Sequence, residues 1–162
     1  MWCIINPYLS MDTKAKIKQI QDFSKKILRE SGKRGVSLRE LAKDNCSEMS
    51  RLAGCFALKL WQGSTVYILK GDGVFGKKQS HDILAVQNKG GVYLLDLFIW
   101  QVFPKKRNIF IGDVKSMSDG KKLARSIYGG EWSVSEILSL ETCKQKTAEW
   151  LSVVRRNNDG AC

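Results

Sequence analysis

Histidine is nearly absent from this chain, with one residue, His81, in 162. Five cysteines, at positions 3, 46, 55, 143 and 162, form no CxxC pair, and none clusters near the histidine. That scarcity argues against a structural zinc site, and neither metal nor cofactor is expected. No run of ~20 apolar residues is present to cross a membrane. The opening MWCIINPYLSM lacks both the charged n-region and the long apolar stretch of a signal peptide. Repeats, low-complexity segments and linkers are missing too, so the chain is expected to form one domain over 1–162, long enough to bury a core.

Acidic residues are in short supply: 16 Asp+Glu stand against 27 Lys+Arg, for a net charge of +11. Such a balance favours acidic partners, whether nucleic acid, an anionic membrane or an acidic protein. The positive charges are dispersed, as in Lys14, Lys16 and Lys18, then Lys25, Lys26 and Arg29, then Lys105, Lys106 and Arg107. A solvated helix face accounts for most of them, and a nucleic-acid role is not the favoured reading. The cysteines imply a reduced, cytosolic working environment. Cys46 and Cys55 lie nine residues apart on one expected helix, on opposite faces where they cannot bridge. Cys3, Cys143 and Cys162 read as structural or incidental.

What is present has a clear order. Residues 1–11 read as a tail or short strand docking through Trp2, Ile4 and Ile5. Ile17, Ile20, Phe23, Ile27 and Leu28 give Asp12–Arg29 the 3/4 spacing of an amphipathic helix, closed by Gly32 and Gly35. Ser37 with Glu40 is a capping box for a short helix ending near Lys43. A third helix, Asn45–Leu60, buries Met49, Leu52, Ala53, Phe56, Ala57 and Leu60. Periodicity then switches to strands at Ser64–Lys70, His81–Gln87 and Val92–Trp100, with NKGG at Asn88–Gly91 as a hairpin turn. Ile109–Ile111 reads as a short strand and Ser118–Tyr128 as a helix ended by Gly129–Gly130. Ser133 with Glu136 marks the cap of a last helix, fraying from Arg155 onward. The class is α+β: helices, an antiparallel sheet, then helices.

The chemistry concentrates at Cys46. Asn45 is a preferred N-cap type with Glu48 at the capping-box position, which makes Cys46 the first helical residue. At the positive end of a helix dipole a thiol is biased toward the nucleophilic thiolate. A turn centred between Asn88 and Lys89 sets Ala85 opposite Val92, Ile83 opposite Leu94 and His81 opposite Asp96, all on one face. That face is expected to lie under the helix that carries Cys46. The three then meet the logic of a nucleophile, its base and an orienting carboxylate. The backbone N–H of Cys46, with the side chain of Asn45, is the candidate oxyanion donor. Trp61, Trp100 and Trp132 read as core, with Trp100 also placed to line a substrate groove.

The helix-starting pattern NC-x-E-M-x-x-x-A (Asn45, Cys46, Glu48, Met49, Ala53), followed by a strand-borne His81 and then Asp96, resembles the papain-like Cys–His–Asp superfamily in its transglutaminase-like order. Within it, the motif and spacing resemble the bacterial toxin and effector glutamine deamidases over about residues 44–104. The resemblance implies a papain-like fold, with N-terminal helices carrying the nucleophile, an antiparallel sheet and C-terminal helices. It also implies catalytic Cys46, His81 and Asp96 converting a substrate-protein glutamine to glutamate, often on a GTPase α subunit. The chain would be secreted or delivered by a toxin or secretion system to act in the target-cell cytosol, and an acidic immunity or inhibitor protein would suit its charge. The same triad also fits a cysteine protease or a transglutaminase. The reading of another class is a basic, non-enzymatic module that binds nucleic acid or an acidic protein.

Overall fold

The structure, a computed structural model, describes residues 9–32, 34–103, 105–106 and 108–159. The expected docking tail through Trp2, Ile4 and Ile5 lies outside them. Among the described residues are six α-helices and five strands: α1 (Met11–Ser31), α2 (Leu38–Ala42), α3 (Cys46–Leu60), β1 (Thr65–Asp72), β2 (Ser80–Asn88), β3 (Gly91–Leu95), α4 (Ile99–Val102), β4 (Phe110–Val114), α5 (Met117–Tyr128), β5 (Glu131–Leu138) and α6 (Leu140–Asp159). The class is α+β. The strands form one antiparallel sheet in the order β4-β3-β2-β1-β5.

Alternation along the strands divides the core in two. Val66, Ile68, Leu84, Val86 and Leu95 face the layer of α1, α3 and α6. Leu69, Ile83, Ala85, Val92 and Leu94 face the opposite side, where Ala124 and Tyr128 of α5 cover them. The central helix lies tight on its layer because it shows the sheet small residues, Ala53, Gly54 and Ala57. A Cβ built on Gly54 would stand 2.3 Å from Leu138 and 3.0 Å from Leu84. The face carrying Ile83, Ala85, Val92 and Leu94 was expected under α3, and it is instead covered by α5. Alternation defines a face and its apolar character, and it leaves open which of two amphipathic helices covers it.

Other expectations are corrected for local reasons. The hairpin turn sits one residue later, around Lys89 and Gly90, so Ala85 pairs with Leu94 and Leu84 with Leu95. The strand expected over Val92–Trp100 stops at Leu95. The Asp96 carboxylate accepts the Phe98 N–H at 2.8 Å, and this local bond turns the chain into α4. Ser133 and Glu136, which predict the cap of the last helix, lie instead within residues 131–138, the edge strand β5 along β1. The Ser-x-x-Glu pattern competes there with alternation, and Ser139 is the residue that caps the last helix, accepting from Thr142 N at 3.0 Å. That helix runs to Asp159 with Asn158 buried, so its end does not fray at Arg155.

A disulfide joins Cys55 of α3 to Cys143 of α6 across 88 residues of chain. It contradicts the expected reduced state of these thiols. Cysteine spacing hid it because the partners come from helices packed side by side, far apart in sequence. Among the described residues Cys46 is the free cysteine, and no helix is long and apolar enough to cross a membrane.

Candidate active site

Cys46 opens α3, half-buried at the helix tip. The chain reaches it through Asp44, in the left-handed region at φ 61°, and a fully buried Asn45. Asn45 does not cap the helix with its side chain. Its amide donates backward instead, to Leu41 O (2.9 Å), Lys43 O (3.2 Å) and Asn158 Oδ1 (3.1 Å), and its Oδ1 accepts from Asn157 Nδ2 at 2.9 Å. The expected capping role is therefore replaced by a tie between the start of α3 and the end of α6. With its donors engaged in that tie, the Asn45 side chain is not the oxyanion donor. Residue type alone does not distinguish a cap from such a backward-bonding amide, since both exploit the same short side chain. Asn158 Nδ2 is left buried without a partner.

His81 stands near the start of β2, past the end of β3, where residues 80–83 pair with β1 alone. Its partner there is Gly71, and Gly71 also pairs with Trp132 on β5. The missing side chain matters: a Cβ on Gly71 would lie 2.6 Å from the indole of Trp132. His81 and Trp132 thus close over the glycine with their rings 6.4 Å apart, edge to face. Tyr128 (5.4 Å) and Phe75 (5.8 Å) complete an aromatic wall around the imidazole. Phe75 itself adopts a left-handed φ of 57° in a short 3-10 turn at Val74–Gly76.

Asp96 is fully buried just after β3. Its N–H donates to Ile109 O at 2.8 Å, and Oδ1 accepts from Phe98 N. Oδ2 accepts the Tyr128 phenol at 2.6 Å and lies 3.2 Å from His81 Nε2. The imidazole contact is an ion pair by distance, out of line for a good hydrogen bond. The expected direct facing of His81 and Asp96 becomes a diagonal one, because the turn is displaced. A displacement of the turn by one residue moves each cross-strand partner by two, which preserves the face. The Cys46 thiol is near enough to the same imidazole to act on its charge. Burial opposes charge on His81, but the negative charge of the Asp96 carboxylate and then Cys46 outweigh it, and the His81 pKa is pushed up to about 10.

A second network fastens the two halves of the site. Asp82 follows His81 with its side chain on the other face, and Ser47 follows Cys46. Ser47 Oγ donates to Asp82 Oδ2 at 2.7 Å, and Ser50 Oγ to Asp82 O at 3.1 Å. Arg51 joins in, 3.4 Å from Asp82 Oδ2, while its Nε donates to Glu136 Oε2 of β5 at 2.7 Å. The first turns of α3 are thereby pinned to β2 and β5. Of these residues, sequence reasoning missed Tyr128, Ser47, Asp82 and Arg51. The alternation that assigns His81 to one face assigns Asp82 to the other, and that is the one signal that pointed to it.

Two cavities of about 330 Å³ lie elsewhere: one between α1, α3 and α6 around Phe23, Leu52, Phe56 and Leu151, the other beside α1 around Lys14, Lys18 and Phe110. Neither is lined by Cys46, His81 or Asp96. Trp100 is half-buried with Lys25 Nζ 5.3 Å from its ring centre. Among the described residues no group of three or more His, Cys, Asp or Glu is arranged to hold a metal ion. Set against protein-family models, curated proteins and solved structures, the chain matches none.

Proposed function

We propose that this chain is a cysteine-dependent hydrolase of papain-like architecture that deamidates a glutamine side chain of a substrate protein. The observation that carries the reading is the convergence of three segments: a free cysteine at a helix tip, the chain's one histidine, whose charge that thiol supports, and a buried aspartate 3.2 Å from the histidine. A raised imidazole pKa fits a histidine that is charged at neutral pH and pairs with a thiolate. Nε2 is turned to Asp96, which leaves Nδ1 for the sulfur.

In the first half-reaction the Cys46 thiolate attacks the side-chain carbonyl carbon of glutamine. The oxyanion is taken up by the backbone N–H of Cys46, at a helix start without a side-chain cap. His81 gives its proton to the departing nitrogen, which leaves as ammonia, and a thioester remains. In the second, His81 takes a proton from water, the hydroxide adds to the thioester, and collapse returns the thiol and a glutamate carboxylate. Asp96 holds the imidazole and balances its charge throughout.

The Cys55–Cys143 bridge is compatible with secretion or delivery through an oxidising compartment before action in a target-cell cytosol. It leaves the nucleophile out of the covalent link. The charge of +11 makes an acidic protein the matching immunity or inhibitor partner.

The test is mass spectrometry of a glutamine-containing peptide library incubated with the protein and with Cys46→Ala. A gain of about 1 Da at glutamine with the backbone intact, lost in the variant, is expected. Backbone cleavage would make the enzyme a protease, incorporation of a labelled amine a transglutaminase. Identical outcomes for protein and variant would leave a basic binding module.

A further inference from the structure

The Asp96 carboxylate is shared. Its Oδ2 faces His81 Nε2, and the same oxygen accepts the phenol of Tyr128 at the shorter distance, 2.6 Å against 3.2 Å. Tyr128 is the last residue of α5 and is itself buried. Two left-handed glycines at φ 71°, Gly129 and Gly130, turn the chain directly after it into β5. That turn is tight: a Cβ on Gly130 would stand 2.4 Å from Asp72 O, and Trp132 Nε1 donates back to Gly129 O at 2.8 Å. The helix end from which the phenol projects is therefore fixed by the turn that follows it. Burial first, then the neighbouring Asp96, push the pKa of Tyr128 up, so it keeps the proton that it donates to Asp96.

We propose that Tyr128 is a positioning residue of this site, its phenol fixing the Asp96 carboxylate in the plane that faces His81. The inference rests on the reading that Cys46, His81 and Asp96 act together. Oδ1 is tied to the backbone at Phe98, and one tie alone leaves the direction of Oδ2 less firmly set than two. The ion pair to His81 is poorly aligned and supplies little direction of its own. Tyr128 makes the second tie. Its ring packs against the imidazole, but its hydroxyl bonds Asp96, and through Asp96 it acts on the imidazole. The titratable groups around the imidazole are Cys46 from α3, Asp96 after β3 and Tyr128 from α5, while Phe75 and Trp132 close the site with rings that do not titrate.

Because the chain has one histidine, its ring resonances report this site alone. NMR titration of His81 and the rate of Cys46 alkylation by iodoacetamide are measured together in the parent protein, His81→Ala (alkylation only) and Tyr128→Phe. Phenylalanine keeps the ring packing and removes only the hydroxyl. The expected result is that Tyr128→Phe moves the His81 titration to lower pH and slows alkylation at neutral pH at least about threefold, toward the His81→Ala rate. A Tyr128→Phe protein that folds and matches the parent in both readouts overturns the proposal, since a tyrosine that merely packs would leave them unmoved. Equal alkylation of parent and His81→Ala would instead overturn the triad reading itself. Should Tyr128→Phe not fold, 3,5-difluorotyrosine placed at position 128 changes the donor at nearly constant size, and an unmoved His81 titration there is equally fatal.

Discussion

His81 sits under opposing demands. Burial disfavours its charge, yet the carboxylate of Asp96 and the Cys46 thiol hold the proton on it up to about pH 10, against an ordinary value of 6.5. The linkage has a definite sign. The folded state binds this proton more tightly than the unfolded chain, so its contribution to stability is complete below pH 6.5 and is lost as pH rises through about 10. Thermal unfolding of parent and His81→Gln should therefore show a gap in Tm that is widest in mild acid and narrows steadily from neutral pH into the alkaline range. A gap independent of pH would contradict the charged histidine. Cys46, His81 and Asp96 were legible as residues because type and alternation suffice to nominate them, and parity on a strand survives a displaced turn. Tyr128 was not legible. The sequence marks it as the end of a helix, and nothing in local sequence says that a helix terminus points at a carboxylate two elements away.

Among the elements, α3 is placed by two unlike devices. Small residues let it approach the sheet closely, and the Ser47–Asp82–Arg51–Glu136 network fixes the turn that carries the sulfur. Asp82→Ala leaves Ser47 without its acceptor and Arg51 short of one, at a position where both are partly buried. The expected cost is about 1–3 kcal/mol in urea unfolding, accompanied by slower alkylation of Cys46 as the helix tip loosens. An unchanged alkylation rate would show that packing alone positions the tip. The helices α1 and α3 were legible because their apolar spacing is unambiguous, and α2 because Ser37 caps it, its Oγ accepting the Glu40 N–H at 3.3 Å and donating to the Glu40 carboxylate at 3.0 Å. The segment 131–138 was not. Its Ser-x-x-Glu spelling matches a helix start, but the chain there is an edge strand whose outer residues stay exposed, and pairing with β1 overrides the local signal.

At the scale of the whole molecule, a three-layer arrangement sets α1, α3 and α6 on one side of the sheet and α5 on the other, and the site forms where strand β3 has ended and both layers reach past the sheet. The Cys55–Cys143 bridge staples the body of α3 to α6 and leaves Cys46 at its tip out of the link. Replacing both cysteines by serine should lower stability by about 2–5 kcal/mol in urea, because the bridge constrains a long loop of the unfolded chain. Alkylation of Cys46 should be unaffected in the folded variant, and a loss of reactivity there would mean that the bridge also shapes the site. The account as a whole stands on Cys46 being a nucleophile made by its surroundings, and brief iodoacetamide treatment near neutral pH followed by peptide mapping tests that most directly. Cys46 is expected to be carboxamidomethylated well before Cys3 and Cys162, and to lose that lead in His81→Ala. Uniform labelling of the thiols, or a lead that persists without the histidine, would contradict it.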